Sequence, residues 1–101
     1  DSDITIIPQS GHTKGHTVLL YKEYLFSGDN LAYNSKQNTL TAFKNYCWYD
    51  WPTQLKSLKR LANFEFSYLL PGHGESIKRD KATLKQMLLD CLSYNNVPMR
   101  Q

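Results

Sequence analysis

Thr17-Val18-Leu19-Leu20-Tyr21-Lys22-Glu23-Tyr24-Leu25-Phe26-Ser27-Gly28-Asp29 tells most about how this chain folds. A β-branched and apolar run, Thr17 to Tyr21, meets a polar Lys22-Glu23 turn. A second apolar run, Tyr24 to Phe26, follows, which is the pattern of a β-hairpin. The second run looks buried and stops at Gly28-Asp29, a turn dipeptide that leaves a carboxylate at the end of a strand. Upstream, Ile4-Thr5-Ile6-Ile7 is another β-branched run, stopped by Pro8. Downstream, Phe66-Ser67-Tyr68-Leu69-Leu70 reads as a fourth strand halted by Pro71-Gly72.

Two helices complete the pattern. Pro52 suits the first turn of one, and Leu55, Leu58, Leu61 and Ala62 follow at helical spacing. Lys59 and Arg60 then fall where the helix dipole favours cations. Asp80 caps a final helix, whose residues Leu84, Met87, Leu88, Cys91 and Leu92 form an i, i+3, i+4, i+7, i+8 stripe. Asn95, Asn96 and Pro98 end it. Residues 30–50 are rich in Asn and aromatics without a clean period, and are expected to be irregular with one helical turn at most. The order β-β-β-loop-α-β-α predicts an α/β fold, a mostly antiparallel sheet with helices on one face. Its other face, if apolar, needs a cover.

The 101 residues suffice for one small domain, and 41% hydrophobic with 21% charged residues is ordinary globular composition. No apolar run approaches the roughly 20 residues of a membrane helix, and no signal-peptide pattern opens the chain, so no membrane partner is expected. A formal charge of +3, from 12 basic and 9 acidic residues, is too slight to indicate nucleic acid. Lys56, Lys59, Arg60, Lys78, Arg79, Lys81 and Lys85 are spread as solvated helix faces would be. Cys47 and Cys91 have no metal-type spacing and make no disulfide framework, and Cys91 falls in an apolar stripe. A reducing, cytoplasmic compartment is the expectation. The chain opens on Asp1, its methionines are Met87 and Met99, and it reads as a fragment of a longer protein.

Three short segments carry chemistry. His12 lies four residues before His16, but Gly11 and Gly15 oppose a helix, so the two imidazoles should point differently. Asp29 is either a turn-former bonding its own backbone or an acid that needs a partner. His73, in Pro71-Gly72-His73-Gly74, is either a loop histidine or a ligand aimed by its flanking glycines. Three such sites at strand ends, each with His or Asp, suit zinc, and also iron or manganese. Ser10 and Ser27 lack the base and orienter of a serine hydrolase. Phe43, Tyr46, Trp48, Tyr49 and Trp51 could line an apolar pocket, though packing of the long loop onto the sheet is the plainer reading. Asn30, Tyr33 and Asn34 are loop residues that could touch a substrate.

Gly11-His12-Thr13-Lys14-Gly15-His16, Phe26-Ser27-Gly28-Asp29 and Leu69-Leu70-Pro71-Gly72-His73-Gly74, in that order, resemble the last three metal-binding motifs of the metallo-β-lactamase superfamily. That superfamily includes glyoxalase II-type thioesterases, lactonases, nucleases and flavo-diiron proteins. The likeness runs from about residue 4 to residue 77, and the last helix fits the family's C-terminal helix. It implies that His12 completes a first metal site, that Asp29 bridges two metals and orients the attacking water, and that His73 serves the second site. His16 matches a position that supports ligands without binding metal. Two zinc ions are implied in the intact protein, with iron or manganese as alternatives.

The family's His-x-His-x-Asp-His motif is absent, and His12, His16 and His73 are the chain's three histidines. Residues 1–101 therefore read as a single partial domain, the C-terminal half of an αββα sandwich. The missing N-terminal half would be the partner that supplies the other ligands and covers the open sheet face. The resemblance implies a metal-dependent hydrolase that cleaves an ester, thioester, lactone or similar bond in a small molecule, with the fragment alone inactive. It leaves two alternatives, a diiron redox protein of flavo-diiron type and a non-catalytic partner-binding module. Retention of three ligand positions speaks against the module.

Overall fold

Alternation along the first three strands builds the sheet. The computed structural model describes residues 4–11, 15–42 and 49–95. Strands β1 (Ile4–Pro8), β2 (Thr17–Tyr21) and β3 (Tyr24–Gly28) form an antiparallel meander, with Lys22 at φ 55° in the tight turn between β2 and β3. Strands β4 (Ala32–Asn34) and β5 (Thr39–Thr41) pair as a small separate hairpin. Helix α1 (Trp51–Leu61) then carries the chain across to β6 (Tyr68–Pro71), which lies parallel to β3. A parallel neighbour requires such a crossover, because a tight turn cannot reverse the chain twice. Strand β7 (Ile77–Lys78) returns antiparallel to β6, and α2 (Lys81–Tyr94) closes the chain's described part. The five-stranded order is β1-β2-β3-β6-β7.

Register sorts the side chains onto two faces. Leu20, Leu25, Leu69 and Ile77 form one row across four strands, joined on the same face by Ile7 opposite Val18. Both helices pack on this face: Leu58 and Leu61 of α1 and Leu84, Leu88, Cys91 and Leu92 of α2 share one buried cluster with Val18, Leu25 and Leu69. Burial pushes the Cys91 thiol pKa up, as for a small core residue. The opposite face carries the register-aligned row Ile6, Leu19, Phe26 and Leu70. Ile6 is 65% exposed, Phe26 43%, Ile4 42% and Leu19 39%. The open apolar face expected from the order of elements is present.

The helices start where their caps dictate. Asp50 accepts from the Thr53 amide at 2.9 Å with Pro52 in the first turn, and Asp80 accepts from the Thr83 amide at 2.7 Å. In both cases the threonine hydrogen bonds hold the carboxyl below its ordinary pKa.

Several expectations need correction. Residues 30–50 are not wholly irregular, because β4 and β5 form a hairpin there. Asn34 Oδ1 accepts from the Lys36 and Gln37 amides at 3.0 and 3.4 Å, and Asn38 takes φ 52°. Side-chain capping and a left-handed Asn make the turn, and three-residue strands are too short to display a period of two. The fourth long strand starts at Tyr68, not Phe66, since the Ser67 and Tyr68 amides both turn to the Glu23 carbonyl, at 2.9 and 3.1 Å. Of Tyr24, Leu25 and Phe26, Leu25 alone is fully buried, because its neighbours face the open side. Two-residue β7 was not anticipated. Among the described residues no helix is long and apolar enough to cross a membrane.

Candidate functional site

Topology brings the motifs to one edge of the sheet. Because β6 runs parallel to β3, the segments that follow both strands leave from the same end. Because β2 runs antiparallel to β3, the residue preceding β2, His16, lies at that end too. Gly28 sits opposite Pro71, and the Gly72 amide donates to the Gly28 carbonyl at 2.8 Å. The loop after β6 is thus stitched to the turn after β3.

Across this stitch, Asp29 Oδ1 and His73 Nδ1 meet at 2.5 Å. The His73 side chain is 86% exposed and that of Asp29 41%, so the pair faces solvent at the rim. The hydrogen bond to Asp29, then the carboxylate's charge, raises the His73 pKa, against a small opposing effect of desolvation. The Gly72 backbone passes beside the carboxylate, where a Cβ would meet Asp29 Oδ1 at 3.5 Å, an ordinary van der Waals contact.

His16 packs its ring on the backbone just before Asp29. A Cβ at Gly28, whose φ is +57°, would lie 3.0 Å from His16 Cε1. Its Nε2 lies 3.4 Å from the Ser27 carbonyl, a long contact. His12 lies outside the described residues, as do Phe43, Tyr46, Trp48 and Cys47. Gly11, the last described residue before His12, has φ +138°, and a Cβ there would stand 2.2 Å from Gln54 Cα, so the Gly11 backbone lies directly on α1. Among the described residues, no group of three or more His, Cys, Asp or Glu could hold a metal ion. What the described structure brings together is one carboxylate and one imidazole, a donor pair whose chemistry suits a divalent metal.

Two features escaped the sequence reading. The first is a buried amide cluster under the site. Asn30, expected as a possible substrate contact, is fully buried and donates from Nδ2 to Gln9 Oε1 at 2.9 Å. Gln54 and Ser57 are buried as well, and the signal was there: with Leu58 and Leu61 they occupy the i, i+3, i+4, i+7 stripe of α1. The second is Glu75, whose Oε2 accepts from the Ser35 amide at 3.1 Å while its carbonyl accepts from Tyr33 N at 3.1 Å. These bonds fasten the β4–β5 hairpin to the His73 loop, and the hydrogen bonds from Ser35 hold the Glu75 carboxyl below its ordinary pKa. Tyr49 is 55% exposed and does not pack into the core. A cavity of about 300 Å³ lies between β5 and the end of α2, lined by Thr39, Thr41, Asp90, Cys91 and Tyr94 among others. None of the described motif residues lines it, and it lies apart from the Asp29–His73 pair.

No family model and no curated protein sequence matches the chain. Among solved structures it is similar to an archaeal metallo-beta-lactamase superfamily protein from Sulfolobus tokodaii, with a TM-score of 0.64 and 20% sequence identity. The match covers 90% of this chain and 32% of that one. The fold is therefore that of part of a metallo-β-lactamase domain, and the chain spans about a third of the length of the structure it matches.

Proposed function

We propose that Asp29 and His73, joined by His12, are metal ligands of a metal-dependent hydrolase of which this chain forms the C-terminal half. The observation that carries the reading is the Asp29–His73 contact at 2.5 Å, made by two loops on parallel neighbouring strands. A surface ion pair between flexible side chains contributes little to stability. Here, however, both groups stand on glycine-bounded turns at a sheet edge, where loops on a rigid scaffold present functional groups. The proton shared by the pair engages lone pairs that a divalent cation would also use.

A metal held here, zinc by donor chemistry, would polarise a carbonyl or phosphoryl oxygen and make water a nucleophile near neutral pH. Asp29 would orient that water toward the substrate. His73 would fix one side of the site through Nδ1 or Nε2, and the ring of His16 on Gly28 would hold the Asp29 turn in place. Ser27 takes no part as a nucleophile, because its buried hydroxyl donates to the Leu31 carbonyl at 2.7 Å. The substrate class we favour is a small ester, thioester or lactone.

The remaining ligands and the cover for Ile6, Leu19, Phe26 and Leu70 would come from an N-terminal half outside these 101 residues. The chain alone should not hydrolyse such substrates, because its donors leave the metal shell open. The test is metal content and hydrolysis of an ester, thioester and lactone panel by a longer protein containing this chain. His73→Ala and Asp29→Asn should each lower both. Unchanged metal content in both variants would sink the reading in favour of a non-catalytic module. Bound iron with a visible absorption band would redirect it to redox chemistry.

A further inference from the structure

Beneath the site, four polar side chains are fully buried: Gln9, Asn30, Gln54 and Ser57, each 0% exposed. They come from three separate parts of the chain, namely the end of β1, the turn after Asp29 and the inner face of α1. Gln9 is the hub. Its Nε2 donates to the Ser57 carbonyl at 2.7 Å and to the Pro8 carbonyl at 3.1 Å, while its Oε1 accepts from Asn30. Gln54 Nε2 reaches the Asn30 carbonyl at 3.4 Å. Ser57 Oγ donates to the Ser10 carbonyl at 2.8 Å, and the Asp50 amide to the Gly11 carbonyl at 2.9 Å. The residue after Asp29 and the segment leading to His12 are thus both fastened to one helix.

Among the described residues the cluster is not fully satisfied, since Asn30 Oδ1 and Gln54 Oε1 are buried there without a hydrogen-bond partner. Each such acceptor costs about 1–3 kcal/mol, and a partly satisfied polar network is less stable than an apolar core of the same shape. Stability alone therefore does not account for amides in a helix stripe shared with Leu58 and Leu61. What amides supply, and apolar packing does not, is direction, since hydrophobic burial is non-directional.

We infer that Gln9, Asn30 and Gln54 are positioning residues, which tie the Asp29 turn and the 9–11 segment to α1 so that the Asp29 carboxylate meets His73 at the sheet edge. The functional consequence rests on the reading of Asp29 and His73 as ligands; the geometric one does not. Anchored from below by Asn30 and from the side by the Gly72–Gly28 bond, the turn has one orientation. With the lower anchor removed it keeps its place in the chain but loses its aim.

The test uses the 101-residue chain with two variants, Gln54→Met and the double variant Gln9→Met/Asn30→Leu. Both replace amides by apolar groups of similar size. The double variant removes both partners of the Gln9–Asn30 bond but also takes the Gln9 donor from the Ser57 and Pro8 carbonyls, so its midpoint should fall modestly. Three readouts are taken: urea unfolding, the imidazole ¹⁵N shifts of His73 that report its contact with Asp29, and zinc affinity by competition with a chromophoric chelator. The expected result is cooperative unfolding in both variants, loss of the contact signature, and zinc affinity lowered about 10–100-fold. An unchanged contact signature in both variants overturns the inference. So does loss of cooperative folding in both, which would make the cluster simple core support. If the unaltered chain shows the contact but takes up no zinc, the metal reading falls, while the shift data still decide the positioning role.

Discussion

Replacing Ile6 and Phe26 together by threonine should cost more in a longer protein that covers this sheet face than in the 101-residue chain. Ile6 is 65% and Phe26 43% exposed, and they lie in the same outward row across β1, β2 and β3. Burying a whole Ile or Phe side chain is worth about 1.5–3 kcal/mol. The exposed fractions leave about 1–2 kcal/mol for Ile6 and about 1 kcal/mol for Phe26 to be gained on covering. Threonine is β-branched and keeps strand propensity, and the contacts each residue makes within its own sheet are lost equally in both settings. The difference between the two costs therefore isolates the cover, and should be about 2–3 kcal/mol. Urea unfolding of four proteins, each length with and without the substitutions, measures it as a double difference. Equal costs in the two settings would refute the claim that the face meets a second layer.

Two further predictions follow from local geometry. Gly11→Ala places a Cβ 2.2 Å from the Gln54 backbone at φ +138°, and should destabilise the chain by about 1–3 kcal/mol or more in urea unfolding. Asp50 and Asp80 have folded pKa values below the ordinary 3.8, so their caps stabilise above that pH and the contribution is lost as pH falls through the folded values. Unfolding midpoints followed from pH 5 downward should fall, and Asp80→Asn should flatten part of that slope, because asparagine caps without titrating.

What could be read from residues alone follows from how strongly each pattern repeats. The runs Thr17–Tyr21 and Tyr24–Phe26 and the stripe from Leu84 to Leu92 repeat their period often enough to be seen, and the hairpin and α2 lie where they were placed. The hairpin of β4 and β5 was missed, because Ala32-Tyr33-Asn34 and Thr39-Leu40-Thr41 are pinned by Asn34, Asn38 and Glu75, contacts that no local period encodes. Phe26 was misjudged because an apolar residue does not declare whether the layer over it belongs to its own sheet. Asp29 and His73 were each read as standing at a strand end, but their meeting comes from the parallel pairing of β3 with β6, which no local pattern declares. The amide cluster stayed hidden because Gln54 and Ser57 look like ordinary polar helix residues until the inner stripe of α1 is known.

The central claim is that Asp29 and His73 bind metal with His12 while His16 only supports them. Zinc titration of the 101-residue chain, followed through the imidazole resonances of its three histidines, tests it directly. His12 and His73 should shift together with weak affinity, His16 should stay in place, and Asp29→Asn should abolish the response. A His73 resonance unmoved at high zinc, or a His16 that titrates in step with the others, would contradict it.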